Sequence, residues 1–190
     1  MGTEIPNFYA VEGLDGVGKS TIVNELVKSG YNVLTTPPTE FKKLRPVFEH
    51  KDLRLRFLYY LLGVMYAVKI AQKIESGERT ISDRYLLTTI SAHEAMGLTP
   101  RWLSICMPII KAVPIPENTF LITCEEQERL KRMYQRGANL VDKNNLSINK
   151  KILEGYFKWS NKLGHTLTTI DSTNIPPERV VETINKLTNK

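Results

Sequence analysis

A three-layer α/β/α fold around a five-stranded parallel sheet is what this sequence predicts, and two features carry the prediction. Short apolar runs bounded by turn residues alternate with longer segments of helical period along the whole chain, which calls for crossover connections and a sheet covered on both faces. Between the first run and the first helical segment lies a glycine-rich turn, Gly13-Leu14-Asp15-Gly16-Val17-Gly18-Lys19-Ser20. It falls at the carboxyl end of a strand, where open parallel sheets bind their ligands.

The expected strands are Phe8 to Val11, Tyr31 to Leu34, Thr80 to Ser82, Thr119 to Thr123 and Thr166 to Ile170, each a β-favouring run closed by turn chemistry. The expected helices are Lys19 to Lys28, about Asp52 to Glu75, Tyr85 to Glu94, Arg101 to Ile110, Glu125 to Gln135, Ile148 to Leu163 and Pro177 to Leu187. In the longest, Leu53, Phe57, Leu61, Val64, Val68 and Ala71 recur at three- and four-residue steps and mark one buried stripe. With 190 residues, no repeat and no long polar linker, one domain over residues 1–190 is expected.

Composition narrows the function classes. Cys106 and Cys124 are the only cysteines, too few for a disulfide framework and not in a metal-binding spacing, which points to a reducing, cytoplasmic setting. The first residues show neither a signal peptide nor a myristoylation signal, since Pro6 stands where Ser or Thr is required. The apolar stretch Phe57 to Val68 is shorter than the roughly 20 residues that span a bilayer, so no membrane partner is expected. A formal charge of +6 suits anionic ligands, but the basic residues are spread out apart from Arg129 to Arg136, so nucleotides rather than nucleic acid are the expected partners. His50, His93 and His165 show no ligand spacing, and Trp102 and Trp159 are expected to pack in the core or at an interface.

The glycine turn matches G-x-x-x-x-G-K-[ST], a phosphate-binding loop, in the strand–turn–helix context its mechanism needs. Glycines let successive backbone N–H groups converge on phosphate oxygens, and the helix N-terminus adds its dipole. Gly13, Leu14, Asp15, Gly16, Val17 and Gly18, with Lys19, Ser20 and Thr21 at the helix start, form the expected ATP site. Lys19 would reach the β- and γ-phosphates and the Ser20 hydroxyl would ligate Mg²⁺. The metal also needs an acid, and Asp83 at a strand end is the candidate, with Arg84 beside it to grip a second phosphate. Arg129, Arg132 and Arg136 fall three and four apart on one helix face. Turned toward the loop, they would clamp a transferring phosphoryl group; turned to solvent, they would be a charged surface.

With these parts in order, the chain resembles the thymidylate kinase family of nucleoside monophosphate kinases, a P-loop NTPase fold with a short basic lid. The likeness rests on "EGLDGVGKST", "GYNVLTT", "ISDRY" and "PENTFLI" followed by "LKR…RG", and it covers most of the chain. It implies that Lys19 stabilises the transferred phosphoryl, that Asp15 lies near the acceptor sugar and metal, that Asp83 holds the Mg²⁺ shell, and that Arg84 and Arg45 hold the acceptor phosphate. It implies Phe57 as the aromatic stacked on the acceptor base and a lid over approximately residues 132–146. Because Gly16 replaces an arginine that some members carry in the loop, Arg132 and Arg136 would supply the catalytic charge. Members are often dimers, which the apolar long helix permits.

Three departures bear on the base. The usual T-R-E-P after the second strand reads Thr35-Thr36-Pro37-Pro38, the Tyr-Gln pair after the Asp-Arg element reads His93-Glu94, and the Asp-Arg of the long helix is replaced by apolar residues near Tyr60 and Leu61. An ionised Glu94 at a base-reading position only accepts hydrogen bonds, where a glutamine both donates and accepts. The expected reaction is ATP- and Mg²⁺-dependent phosphorylation of a nucleoside monophosphate, dTMP first. The alternatives are a nucleoside or broad-specificity nucleotide kinase, for which Glu40 is the nearest carboxylate base, and a P-loop ATPase or switch module that transfers nothing.

Overall fold

The computed structural model describes residues 3–74, 77–135, 137 and 146–189. Its centre is β1 (Glu4–Glu12), joined by β2 (Asn32–Thr35), β3 (Thr80–Asp83), β4 (Ile115–Thr123) and β5 (Leu167–Asp171). All four pairings are parallel, in the order β2-β3-β1-β4-β5. The chain thus steps to one side of β1 for β2 and β3 and to the other for β4 and β5. That reversal opens a crevice at the carboxyl end of β1.

Alternation along β1 explains the layers. Phe8 and Ala10 point into a core closed by α4 (Leu53–Ala71), α5 (Leu86–Ala95), α6 (Pro100–Ala112) and α8 (Leu146–Leu163). Tyr9 and Val11 point the other way, into a core closed by α1 (Lys19–Lys28) and α9 (Pro177–Thr188). Successive strand residues face opposite sides, so each face buries its own apolar set. The three-layer architecture and the five-stranded parallel sheet are as expected, with β1 and β4 extended backwards to Glu4 and Ile115.

The stripe of α4 is buried as read: Phe57, Leu61, Val64, Val68 and Ala71 all lie in the core. Asp52 caps this helix by accepting from the Arg54 N–H at 2.9 Å, and the Thr99 hydroxyl accepts from the Trp102 N–H at the start of α6. Among the described residues no helix is long and apolar enough to cross a membrane. Trp159 is buried in the core and Trp102 packs against its margin.

Two short helices were not legible, α2 (Thr39–Lys42) and α3 (Arg45–Glu49). Tertiary contacts fix them rather than helical period. A Cβ on Gly63 of α4 would stand 2.7 Å from the Pro37 Cβ, so only a glycine lets the loop after β2 seat on that helix. Phe48 then stacks on Tyr59 at 4.9 Å, and the Tyr59 hydroxyl donates to the Phe41 carbonyl at 2.7 Å. The result brings Arg45 over the mouth of the crevice. The remaining helix, α7 (Glu126–Gln135), follows β4.

Candidate active site

The loop after β1 is built from backbone. Gly13, Gly16 and Gly18 have φ of +145°, +89° and +96°, values that a side chain strains. Gly18 caps α1 in the left-handed conformation, leaving the first helical amides aimed at the crevice. Lys19 is nearly buried, and its Nζ donates to the Leu14 carbonyl at 2.6 Å. Burial pulls its pKa from 10.5 down to about 8, because removing an ammonium from water favours the neutral form.

Helix α7 lies directly on this loop. Arg129, only 2% exposed, donates from Nη1 to the Asp15 carbonyl at 2.9 Å and pairs with Glu126 at 2.7 Å. Arg132 donates to the Ser172 carbonyl at 2.9 Å and to Glu128 at 3.0 Å, and its Nη1 lies 3.5 Å from the Val17 carbonyl. A Cβ on Gly16 would come within 2.7 Å of Met133 Cγ and 2.9 Å of the Arg129 carbonyl oxygen. The loop has no room for a longer residue there.

A cavity of 330 Å³ opens beside the loop, walled by Asp15, Gly16, Gly18, Lys19, Ser20, Asp83, Arg84, Met133 and Gly137. A second, of 680 Å³, continues from it. Asp15, Ser20, Asp83 and Arg84 line both. Asp83 ends β3 with Oδ1 buried and without a partner among the described residues, which an incoming cation or donor would satisfy. Arg84 follows in the left-handed region, φ +66°; its guanidinium donates to the Gly13 carbonyl at 3.2 Å and pairs with the Asp15 carboxylate.

This backbone turn is held from below by Glu12. Fully buried, Glu12 accepts from the N–H groups of Tyr85 and Thr88, at 3.0 and 3.1 Å, and from the Thr88 hydroxyl. It thereby caps α5 and fixes where Asp83 and Arg84 emerge. Burial pushes its pKa up, while these donors pull it back. Thr88 has one hydroxyl proton, which goes to Glu12, so the Tyr156 hydroxyl 2.8 Å away is the donor to Thr88.

The larger cavity is built from side chains of separate elements. Arg45 from α3, Arg56 and Tyr60 from α4, Thr88, Thr89, Ala92 and His93 from α5, and Asn149, Ile152 and Tyr156 from α8 all line it. Glu49 gathers three of them: it accepts from Arg45 at 2.9 Å, from Arg56 at 3.0 Å and from the Tyr60 hydroxyl at 2.5 Å. Its pKa is lowered, the hydrogen bonds and positive neighbours outweighing desolvation. Burial, and then its hydrogen bond to Glu49, push the Tyr60 hydroxyl up to about 12.

A phosphate-binding loop and an arginine-bearing cleft that share one acidic edge form a donor and acceptor arrangement. The thymidylate kinase family model matches residues 11–184. The chain belongs to the thymidylate kinase family. A probable thymidylate kinase from Methanopyrus kandleri is 29% identical over 150 residues, covering 71% of this chain and 75% of that one. Among solved structures, thymidylate kinase from Candida albicans aligns with TM-score 0.72 at 17% identity, over 96% of this chain and 90% of that one. A deoxyadenosine kinase from M. mycoides, solved with dCMP and a flexible dCDP bound, aligns with TM-score 0.71 at 17% identity over 96% and 100%. These two likenesses show the fold. As a thymidylate kinase family member the protein is a phosphotransferase acting on nucleotides.

Within this family frame the expected site residues divide. Asp15, Lys19, Ser20, Asp83, Arg84 and Arg45 all line the two cavities. Thr21 sits on the first turn of α1, outside both walls. Arg132 touches the back of the loop and is committed to Glu128 and Ser172. Arg136 and most of the expected lid, residues 138–145, lie outside the described residues.

Two expectations are corrected. Phe57 is fully buried in the core and walls neither cavity, because its place on the apolar stripe of α4 turns it toward the sheet. Tyr60 is the α4 aromatic that faces the cleft. Glu94 is also absent from the wall: its carboxylate accepts from Lys158 Nζ at 2.6 Å and Trp159 Nε1 at 2.7 Å, while its neighbour His93 faces inward. Helix α4 does bring a guanidinium to the cleft wall, Arg56, a single turn before Tyr60. Glu12, Arg56 and Tyr156 have no part in the sequence expectation, while Arg129, expected as a clamp on the phosphoryl group, instead braces the loop through the Asp15 carbonyl.

Proposed function

We propose that this protein transfers the γ-phosphoryl group of ATP to the 5′-phosphate of a deoxynucleoside monophosphate, dTMP first, giving ADP and the diphosphate. The observation that carries this reading is the shared edge of the two cavities, where Asp15, Ser20, Asp83 and Arg84 belong to both. Two anionic ligands entering from opposite ends meet there. Their phosphates repel, and positive side chains must offset that repulsion and hold them in line.

The loop amides and Lys19 hold the triphosphate of ATP. Arg84 and Arg45 hold the acceptor phosphate, which is already anionic and needs no strong base. Ser20 and Asp83 are the side chains that would hold Mg²⁺. Among the described residues no group of three His, Cys, Asp or Glu forms a metal cage, which suits an ion that takes one or two protein oxygens and completes its shell with phosphates and water. The ion supplies charge neutralisation between the phosphates. Arg132 would have to release both Glu128 and Ser172 to turn into the cavity, and Arg136 is proposed to join it. A dimer through the exposed Leu55, Leu62, Met65 and Tyr66 of α4 fits the reading.

A nucleoside acceptor would need a carboxylate at its hydroxyl. Glu40 is exposed on α2 and walls neither cavity, which favours the monophosphate. The test is ADP release with ATP, Mg²⁺ and either dTMP or thymidine. Turnover with dTMP and none with thymidine is expected; turnover with thymidine alone, or ATP hydrolysis unaffected by either, would overturn the reading.

A further inference from the structure

A third cavity, of 90 Å³, shares no residue with the two of the active site. Lys111 on its wall precedes β4 and His165 precedes β5. The cavity therefore lies at the amino ends of these parallel strands, whereas the phosphate loop rests at the carboxyl end of β4, beside Ile122. Lys111, Lys162 and His165 are its polar residues, the other walls are apolar, with Leu86, Ile110 and Ile115 among them, and no acid lines it among the described residues.

The end of α8 puts His165 there. Gly164 takes φ +74° and the His165 N–H returns to the Ser160 carbonyl at 2.9 Å, a glycine-capped helix end whose next residue is often apolar and packs back on the helix. A histidine fills that seat. Only 7% exposed, it has Nδ1 and Nε2 both buried and without a partner among the described residues. Burial pulls its pKa down to about 4, so at neutral pH the ring carries one N–H and one lone pair, each costly to bury unpaired. The lysines alone have an ordinary explanation: each stands in the last turn of α6 or α8, where a cation offsets the helix dipole. That does not account for the histidine. Lys162 is held besides by the Trp159 ring, 4.6 Å from its Nζ to the centroid.

We propose that this cavity is a binding site for a short-chain carboxylate, its head held by Lys111, Lys162 and the His165 ring and its tail among the apolar walls. A carboxylate accepts from both ammonium groups and from the ring N–H, which imidazole offers in either tautomer. Its charge also raises the proton affinity of the ring, against burial and the two ammonium groups. The apolar walls choose against inorganic phosphate, whose oxygens point to every side and would meet hydrocarbon. Volume limits the tail: 90 Å³ is the share of about three water molecules, room for a carboxylate with one or two carbons behind it. The site is separate from the transfer chemistry and stands whichever nucleotide is the acceptor.

The test is ¹H–¹⁵N NMR of the histidine rings during titration with sodium propionate at neutral pH and fixed ionic strength, with chloride and phosphate as controls. His165→Phe, which keeps a ring in place, identifies the His165 signals by their loss. Expected are saturable shifts of His165 with a Kd on the order of 1 mM, the scale for a ligand of so few atoms, and none at His50 or His93. Replacing both lysines, Lys111→Gln and Lys162→Gln, should weaken binding by about tenfold through the loss of charge-assisted hydrogen bonds. Both are exposed, so the fold should survive. Should it not, hexanoate with the unaltered protein gives the same answer, because its tail overfills the cavity and it should bind about tenfold more weakly than propionate. Equal response to propionate, phosphate and chloride shows an adventitious ion only and overturns the site. A His165 ring that propionate leaves unmoved is answered by water alone, and that result overturns it too.

Discussion

The donor and acceptor ends of this active site are built on opposite plans. Around the phosphate loop the basic side chains are held within the protein: Lys19 by the Leu14 carbonyl, Arg129 by the Asp15 carbonyl, Arg132 by the Ser172 carbonyl. In the larger cavity His93 Nε2 and Arg56 Nε, and at the shared edge Asp83 Oδ1, are buried and unanswered among the described residues. On the proposed reading, the main-chain loop takes what all nucleoside triphosphates share, and the wall of side chains from four helices meets what differs between acceptors.

The largest expected break in this contrast comes at Lys19. Lys19→Ala should lower kcat by about 1,000-fold, the scale of losing a positioned charge at a developing anion, while circular dichroism stays native; retained turnover would remove the donor assignment. Next is Arg129, which holds the loop without reaching the cavity. Arg129→Met should cost on the order of 10- to 100-fold in kcat/KM for ATP through misplacement of the loop, with the KM for the monophosphate little changed. Equal losses for both nucleotides would show that the two ends are not separable.

A smaller effect sharpens the same boundary. Lys19 is charged in the free protein below about pH 8 and neutral above it, so kcat/KM for ATP should fall about tenfold per pH unit beyond pH 8. Stability should move oppositely. The unfolded chain keeps this proton up to about pH 10.5, so between pH 8 and 10.5 it binds more protons than the folded one. The penalty for burying the ammonium is full below that window and is relieved across it as pH rises. A proton inventory by titration calorimetry of ATP binding at pH 9 should show uptake. The smallest effect is at Phe57: Phe57→Leu, which puts a smaller apolar side chain among the buried neighbours of the ring, should lower stability by about 1 kcal/mol and leave the KM of the monophosphate unchanged, in contrast to Tyr60→Leu, which should raise it.

The same contrast decides what could be read in the sequence. Gly13 to Ser20 announced itself because main-chain geometry is written in glycines and in a strand followed by a helix. Asp83-Arg84 followed from its place at a strand end. The side-chain wall depends on how far each helix is rotated, and one residue on a helix is roughly a 100° turn. On that scale Glu94 and His93, neighbours on α5, and Phe57 and Tyr60, one turn apart on α4, are not told apart by sequence alone. The stripe of α5 is regular: Thr88, Thr89, Ala92 and His93 stand at i, i+1, i+4 and i+5, polar and small residues opposite Leu87 and Ile90 of the core. For α2 and α3 no such pattern exists, since the seat of Pro37 on Gly63 is formed by residues far apart in the chain.

The close approach of Met133 to Gly16 also restricts how such an enzyme can change over generations. A variant that gained an arginine in its loop would collide with the Arg129 carbonyl as well as with Met133 and would hold a side chain at φ +89°, so trimming Met133 alone does not make room. Moving the positive group from one segment to the other therefore requires the helix itself to shift off the loop first.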